Sequence, residues 1–133
     1  MKKIRVVLFD DSTAIRDAMS LLLRYSPGLD FIAAFDNAVL LHDKIKQSEP
    51  DVVLMDIDMP EVNGIEATAM LRVSYNHIKV LMYTVFDDQL RIFQGLCAGA
   101  HGYLLKNKTA SGILQAIKEV YEVGAHLTPD LAH

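Results

Sequence analysis

Asp10, Asp11, Asp56, Thr84 and Lys106 each stand at the end of a short apolar run. Brought to one place, three carboxylates repel one another, and at least one holds its proton more tightly than usual. A divalent cation relieves that repulsion. A few hard oxygen ligands favour Mg2+, which keeps several of its waters. Lys106 adds a compact positive charge and Thr84 a hydroxyl donor. Together these groups suit a phosphoryl group, whose transfer needs positioning and charge neutralisation. A carboxylate can also be the nucleophile, giving an aspartyl phosphate. Asp56, at the end of the central run, is the natural acceptor.

This chemistry requires elements that bring the five residues to one edge. Ile4–Phe9, Asp51–Asp56 and Ile78–Tyr83 are continuous, β-branched apolar runs. Such runs suit strands covered on both faces, as in a parallel sheet. Leu29–Phe35 and Gly102–Leu105 are weaker strand candidates. Between them lies helical spacing over Thr13–Tyr25, Ala38–Gln47, Ile65–Val73, Gln89–Ala98 and Ala110–Val123. Ser12 or Thr13 can cap the first helix, and Gly99 and Gly124 sit where helices end. Five strands alternating with five helices predict a doubly wound α/β fold with helices on both faces. In such a sheet the site lies at the carboxyl ends of the strands, where four of the five deliver a polar group.

The chain has 133 residues, enough for one domain with its own core. Hydrophobic residues make up 51% and charged residues 23%, which excludes a disordered chain. The net charge of −4 gives no basic surplus for nucleic acid. No apolar run could span a bilayer. A single cysteine excludes an internal disulfide and fits a reducing, cytoplasmic setting. Cys97, beside Leu96 and Ala98, reads as a small buried hydrophobe. His42, His77, His101, His126 and His133 show no metal-ligand spacing and default to the surface. Thr128-Pro129 is a helix start, and fewer than two turns follow it. Residues 125–133 are therefore expected to begin a linker to a further domain.

The chain resembles the receiver domain of two-component response regulators from Ile4 to about Gly124, which implies one such domain at residues 1–124. The motifs that carry the resemblance are Phe9-Asp10-Asp11, Met55-Asp56-Ile57-Asp58-Met59-Pro60 with Gly64, Tyr83-Thr84, and Ala98–Lys106. Asn63–Ala67, Gly99–Lys106 and Leu127-Thr128-Pro129 are similar to the NarL/FixJ subfamily, which carries a C-terminal helix-turn-helix DNA-binding domain. The resemblance implies a flavodoxin-like (βα)5 fold with strand order 2-1-3-4-5. It implies that Asp56 accepts a phosphoryl group from a sensor histidine kinase. Mg2+ would be held by Asp10, Asp11, Asp56 and the backbone carbonyl of Asp58. Lys106 and Thr84 would pair with phosphoryl oxygens, and Tyr103 would follow Thr84 by turning from exposed to buried. The result would be a signalling switch rather than a turnover enzyme. It would form a homodimer on phosphorylation, through the fourth helix, fifth strand and fifth helix or through the first and fifth helices. DNA would be contacted only by a C-terminal domain. Tyr25, Ile92, Leu96 and Tyr121 are candidate apolar surface contacts.

Three departures from the family pattern matter. Asn107 follows Lys106 where the family often has a cis proline, and a cis non-proline bond costs about 3–4 kcal/mol, which puts that geometry in question. The bulk of Val85 is expected to restrict the inward turn of Tyr103. Asp58 and Phe86, two residues beyond Asp56 and Thr84, predict slow loss of the phosphoryl group. A rival reading is a Mg2+-dependent phosphohydrolase, since Asp56-Ile57-Asp58 matches a DxD motif. Met59-Pro60 does not continue that motif, and no second acidic cluster follows. A third reading is a receiver-like interaction module without phosphotransfer, against which stands the full set of acceptor-site residues.

Overall fold

The computed structural model describes residues 2–85 and 89–126. Its elements are β1 (Ile4–Phe9), α1 (Thr13–Arg24), β2 (Leu29–Phe35), α2 (Leu41–Ser48), β3 (Val52–Asp56), α3 (Gly64–Ser74), β4 (Lys79–Thr84), α4 (Gln89–Ala98), β5 (Gly102–Leu105) and α5 (Ala110–Glu122). The strands form one parallel sheet in the order β2-β1-β3-β4-β5. Predicted and observed elements agree in number, type and order.

Strand alternation divides the core. Val7, Phe9, Val53, Met55, Val80, Met82 and Tyr103 face α2, α3 and α4. Val6, Leu8, Val52, Leu54, Leu81, Tyr83 and Leu104 face α1 and α5. Both faces of the central strands are therefore dry, which is why their sequences are apolar without interruption.

Local chemistry sets the helix ends. Ser12 Oγ accepts the Ile15 N–H and starts α1. Asn63 and Glu66 form a reciprocal capping box on α3. Gly99 and Gly124 adopt φ of 118° and 92° after α4 and α5, as helix-ending glycines do. The second helix starts at Leu41 rather than Ala38. Asn37 Oδ1 accepts the Val39 N–H in a local turn, and Leu40 is left-handed with φ 56°.

Three smaller expectations are corrected, and one open question is answered. Cys97 is exposed, because α4 turns Ile92 and Gly95 inward and leaves position 97 outside. Ile92 is fully buried and is not a surface contact, whereas Tyr25 is 76% exposed. Tyr103 is already buried while Val85 stands 57% exposed, so Val85 does not keep the ring out. The described residues contain no cis peptide bond, Lys106–Asn107 included. Phe86 and residues 127–133, most of the linker expected at 125–133, lie outside the described residues.

Candidate functional site

The ends of β1, β3, β4 and β5 meet at one edge. A pocket of about 280 Å3 there is lined by Asp11, Ser12, Ile15, Asp56, Asp58, Thr84, Val85, Arg91 and Lys106. Asp10 is fully buried beneath it, Asp56 is 6% exposed and Thr84 8%. Burial of polar groups at this density is costly unless they are paired.

Backbone bonds fix the three chain turns. Asp10 N–H donates to Phe35 O, and Asp10 Oδ1 accepts the Ser12 N–H at 2.9 Å. Arg16 Nη1 donates to Asp10 O at 2.8 Å. Gly64 N–H donates to Ile57 O and closes the loop after Asp56. A Cβ on Gly64 would lie 1.9 Å from Asp56 O, so only glycine lets α3 start against the end of β3. Lys106 N–H donates to Thr84 O, which ties the end of β5 to β4.

The electrostatics centre on Lys106. Its Nζ lies 2.6 Å from Asp10 Oδ2, 3.4 Å from Asp56 Oδ1 and 5.3 Å from the centre of the Tyr83 ring. Burial, and then the charge of Asp10, raise the Asp56 pKa to about 6; Lys106 works in the opposite direction. Burial, with Asp10 and Asp56 nearby, also raises that of Tyr83. The Asp58 side chain is 76% exposed at the pocket's margin, and both its oxygens accept from the Arg91 guanidinium. That fork lowers the Asp58 pKa. A carboxylate paired in this way is not placed to act as the general acid of a phosphohydrolase.

Asp10, Asp11 and Asp56 each offer a carboxylate oxygen within 4.8 Å of the others. Asp10 Oδ2 is buried without a hydrogen bond of regular geometry, its close contact being the Lys106 ammonium. Three carboxylates with convergent hard oxygens, Asp10 among them with a buried oxygen that lacks a regular hydrogen bond, fit a Mg2+-like cation.

Thr84 thus joins Asp56 and Lys106 at the pocket, whereas Tyr103 lies apart, in the core beneath α4. Arg91 was not legible in the sequence as part of the site. Its partner is 33 residues away, and complementary charge is the only signal. His101 departs from the surface default. Its Nδ1 accepts the Val80 N–H at 3.0 Å, and burial, then Lys79 and Arg72, lower its pKa to about 4.

The profile of the response regulator receiver domain matches residues 6–118. The chain is 41% identical over 128 residues to the transcriptional regulatory protein LnrK of Bacillus subtilis, covering 96% of this chain and 58% of that one. It is 36% identical over 131 residues to the transcriptional regulatory protein DegU of Brevibacillus brevis, covering 98% and 56%. The chain thus spans little more than half the length of these curated relatives. A two-component response regulator of the LuxR family from Aurantimonas superposes with a TM-score of 0.88 at 28% identity, covering 98% of this chain and 94% of that one. The chain belongs to the response regulator receiver domain family, the signalling switches of two-component systems.

Proposed function

We propose that Asp56 is the phosphoacceptor of this receiver and that a sensor histidine kinase is the donor. A carboxylate oxygen of Asp56 attacks phosphorus, the P–N bond to the donor histidine breaks, and the phosphoryl group becomes an acyl phosphate. The convergence of Asp10, Asp11, Asp56 and Lys106 at one edge carries this reading. Asp10, Asp11, Asp56 and the Asp58 carbonyl would hold Mg2+, which when bound neutralises charge on the transferring group.

Lys106 holds a positive charge where a phosphoryl oxygen arrives, and Thr84 offers a hydroxyl at the pocket wall. A phosphoryl group brings about −1.5 to −2 charges and three strong acceptors. Pairing of those acceptors with Lys106 and Thr84 draws the ends of β4 and β5 into one arrangement, which holds Tyr103 in the inward position it already occupies. The switch works to the extent that this arrangement binds the phosphoryl group better than the resting one. Charge-assisted hydrogen bonds of about 1.5–3 kcal/mol each supply the bias. The same residues support self-phosphorylation from small donors and slow self-dephosphorylation.

The output belongs to the rest of a longer protein. Relatives described as transcriptional regulatory proteins extend well beyond the matched region, which supports a C-terminal DNA-binding domain after a linker at residues 125–133. Exposed Leu21 on α1 and Tyr25 at its end, and exposed Leu90 and Phe93 on α4, support a homodimer through α1 and α5 or through α4, β5 and α5. None of the helices among the described residues is long and apolar enough to cross a membrane, and a cytoplasmic location is part of this reading. Incubation with Mg2+ and acetyl phosphate, followed by peptide mapping of the modified residue, tests it: one phosphoryl group on Asp56 is expected.

A further inference from the structure

The chain does not leave the receiver at the end of α5. Gly124, with φ 92°, reverses it, and His126 returns to the open side of β5 in a parallel bridge to Gly102. His126 N–H donates to His101 O at 3.0 Å, and Tyr103 N–H donates to His126 O at 3.1 Å. The His126 imidazole is held by Glu119 of α5, with Nδ1 3.2 Å from Oε2.

Gly102 shows that this contact is built into the sequence. It is not among the glycines with positive φ, so its backbone does not demand glycine. Space does: a Cβ there would lie 2.0 Å from His126 O and 2.8 Å from His126 C and N. A β–α–β unit with α5 as its crossover has the same form as the rest of the sheet. The bridge also covers part of an edge strand whose donors and acceptors would otherwise stand open.

We infer that the segment after α5 is a rudimentary sixth strand, and that it couples the chain beyond His126 to the strand that carries Tyr103. The inference rests on the proposed role of Tyr103 and β5 in the phosphorylation switch. One of the two backbone bonds that hold the segment is donated by the Tyr103 N–H itself. A displacement of β5 therefore acts directly on His126, from which the chain continues. The partner of this edge is the protein's own continuation.

Amide hydrogen exchange on the 133-residue chain tests this, with and without Mg2+ and acetyl phosphate, for the wild type, Gly102→Ala and His126→Pro. His126→Pro removes the His126 donor without crowding β5, and it guards against a general folding defect in Gly102→Ala. In the resting wild type, the Tyr103 and His126 amides should be protected. The Tyr103 amide should exchange roughly tenfold faster or more in both variants, while Leu54 in the central strand β3 keeps its protection. Phosphorylation of the wild type should change exchange at His126. Equal Tyr103 exchange in all three proteins, or an unprotected His126 amide in the wild type, would overturn the bridge. Protection at rest that phosphorylation leaves unchanged, with uptake shown by mass, would overturn the coupling. Absence of phosphoryl uptake by the wild type would instead count against the phosphoacceptor reading, and the resting exchange data would still decide the bridge.

Discussion

Lys106 sits closer to Asp10 than to Asp56: its Nζ is 2.6 Å from Asp10 Oδ2 and 3.4 Å from Asp56 Oδ1. The lysine is nine-tenths buried and shared between two carboxylates, one of them completely enclosed. Its charge is therefore structural at rest as well as available to a phosphoryl oxygen.

Replacing Lys106 with Ala removes the group that opposes the rise in the Asp56 pKa. That pKa should climb above its present value of about 6, and less of Asp56 should be ionised at pH 7. Carboxyl carbon titration of Asp56 by NMR measures this. An unchanged or lower value would contradict the assignment of Lys106 as the site's principal cation.

Asp56 and His101 impose opposite pH dependences. Asp56 is an acid whose folded pKa, about 6, exceeds its ordinary 3.8, so the folded state binds the extra proton. Its contribution to stability falls as pH rises from about 4 to about 6. His101 is a base with its folded pKa lowered from 6.5 to about 4, so its contribution falls as pH drops through that interval. Without Mg2+, Asp56→Asn should stabilise the protein by about 1–2 kcal/mol at pH 7 and by almost nothing near pH 4. Denaturant titrations at the two pH values check the difference. Equal effects at both would refute the burial of a strained carboxylate.

Gly64→Ala should be among the most damaging small substitutions. Its Cβ would fall 1.9 Å from the carbonyl oxygen of Asp56, and neither neighbour is a flexible side-chain end. A loss of about 1–3 kcal/mol is expected, as for overpacking elsewhere, together with slower phosphoryl uptake because the acceptor strand must shift. Urea unfolding and a mass time course measure the two effects.

Much of the fold was legible because a strand buried on both faces leaves an uninterrupted apolar run, as in Val52–Met55 and Val80–Tyr83. The meeting of Asp10, Asp56, Thr84 and Lys106 at one edge was legible too, since each ends such a run. Cys97 was misread because its flanking residues are apolar, whereas the phase of α4 is set by Ile92 and Gly95. The inward position of Tyr103 depends on core space beside Met82 and Ile92, which no local pattern reports. The Asp58–Arg91 fork and the return of His126 to Gly102 are long-range pairings, 33 and 24 residues apart along the chain, and carry no periodicity.

The fork also changes the argument about phosphoryl lifetime. Asp58 is not a bare negative charge beside Asp56, because Arg91 balances it. The phosphoryl group should still persist for minutes or longer, and Arg91→Ala, by releasing that charge, should lengthen its life. The variant should cost less than about 1 kcal/mol of stability, as exposed ion pairs do. Decay of the phosphorylated species, followed by mass after the donor is removed, checks this. A half-life of seconds in the wild type would contradict it.

The most direct test is intact mass after incubation with Mg2+ and acetyl phosphate, on the wild type and on Asp56→Asn. The chain contains no tryptophan, so mass is a better reporter than intrinsic fluorescence. One added phosphoryl group on the wild type, absent from the variant and abolished by a chelator, is the predicted result. An unmodified wild type that binds Mg2+, or an equally modified Asp56→Asn, would contradict the assignment of Asp56 as acceptor, and with it the roles given to Thr84, Tyr103 and Lys106.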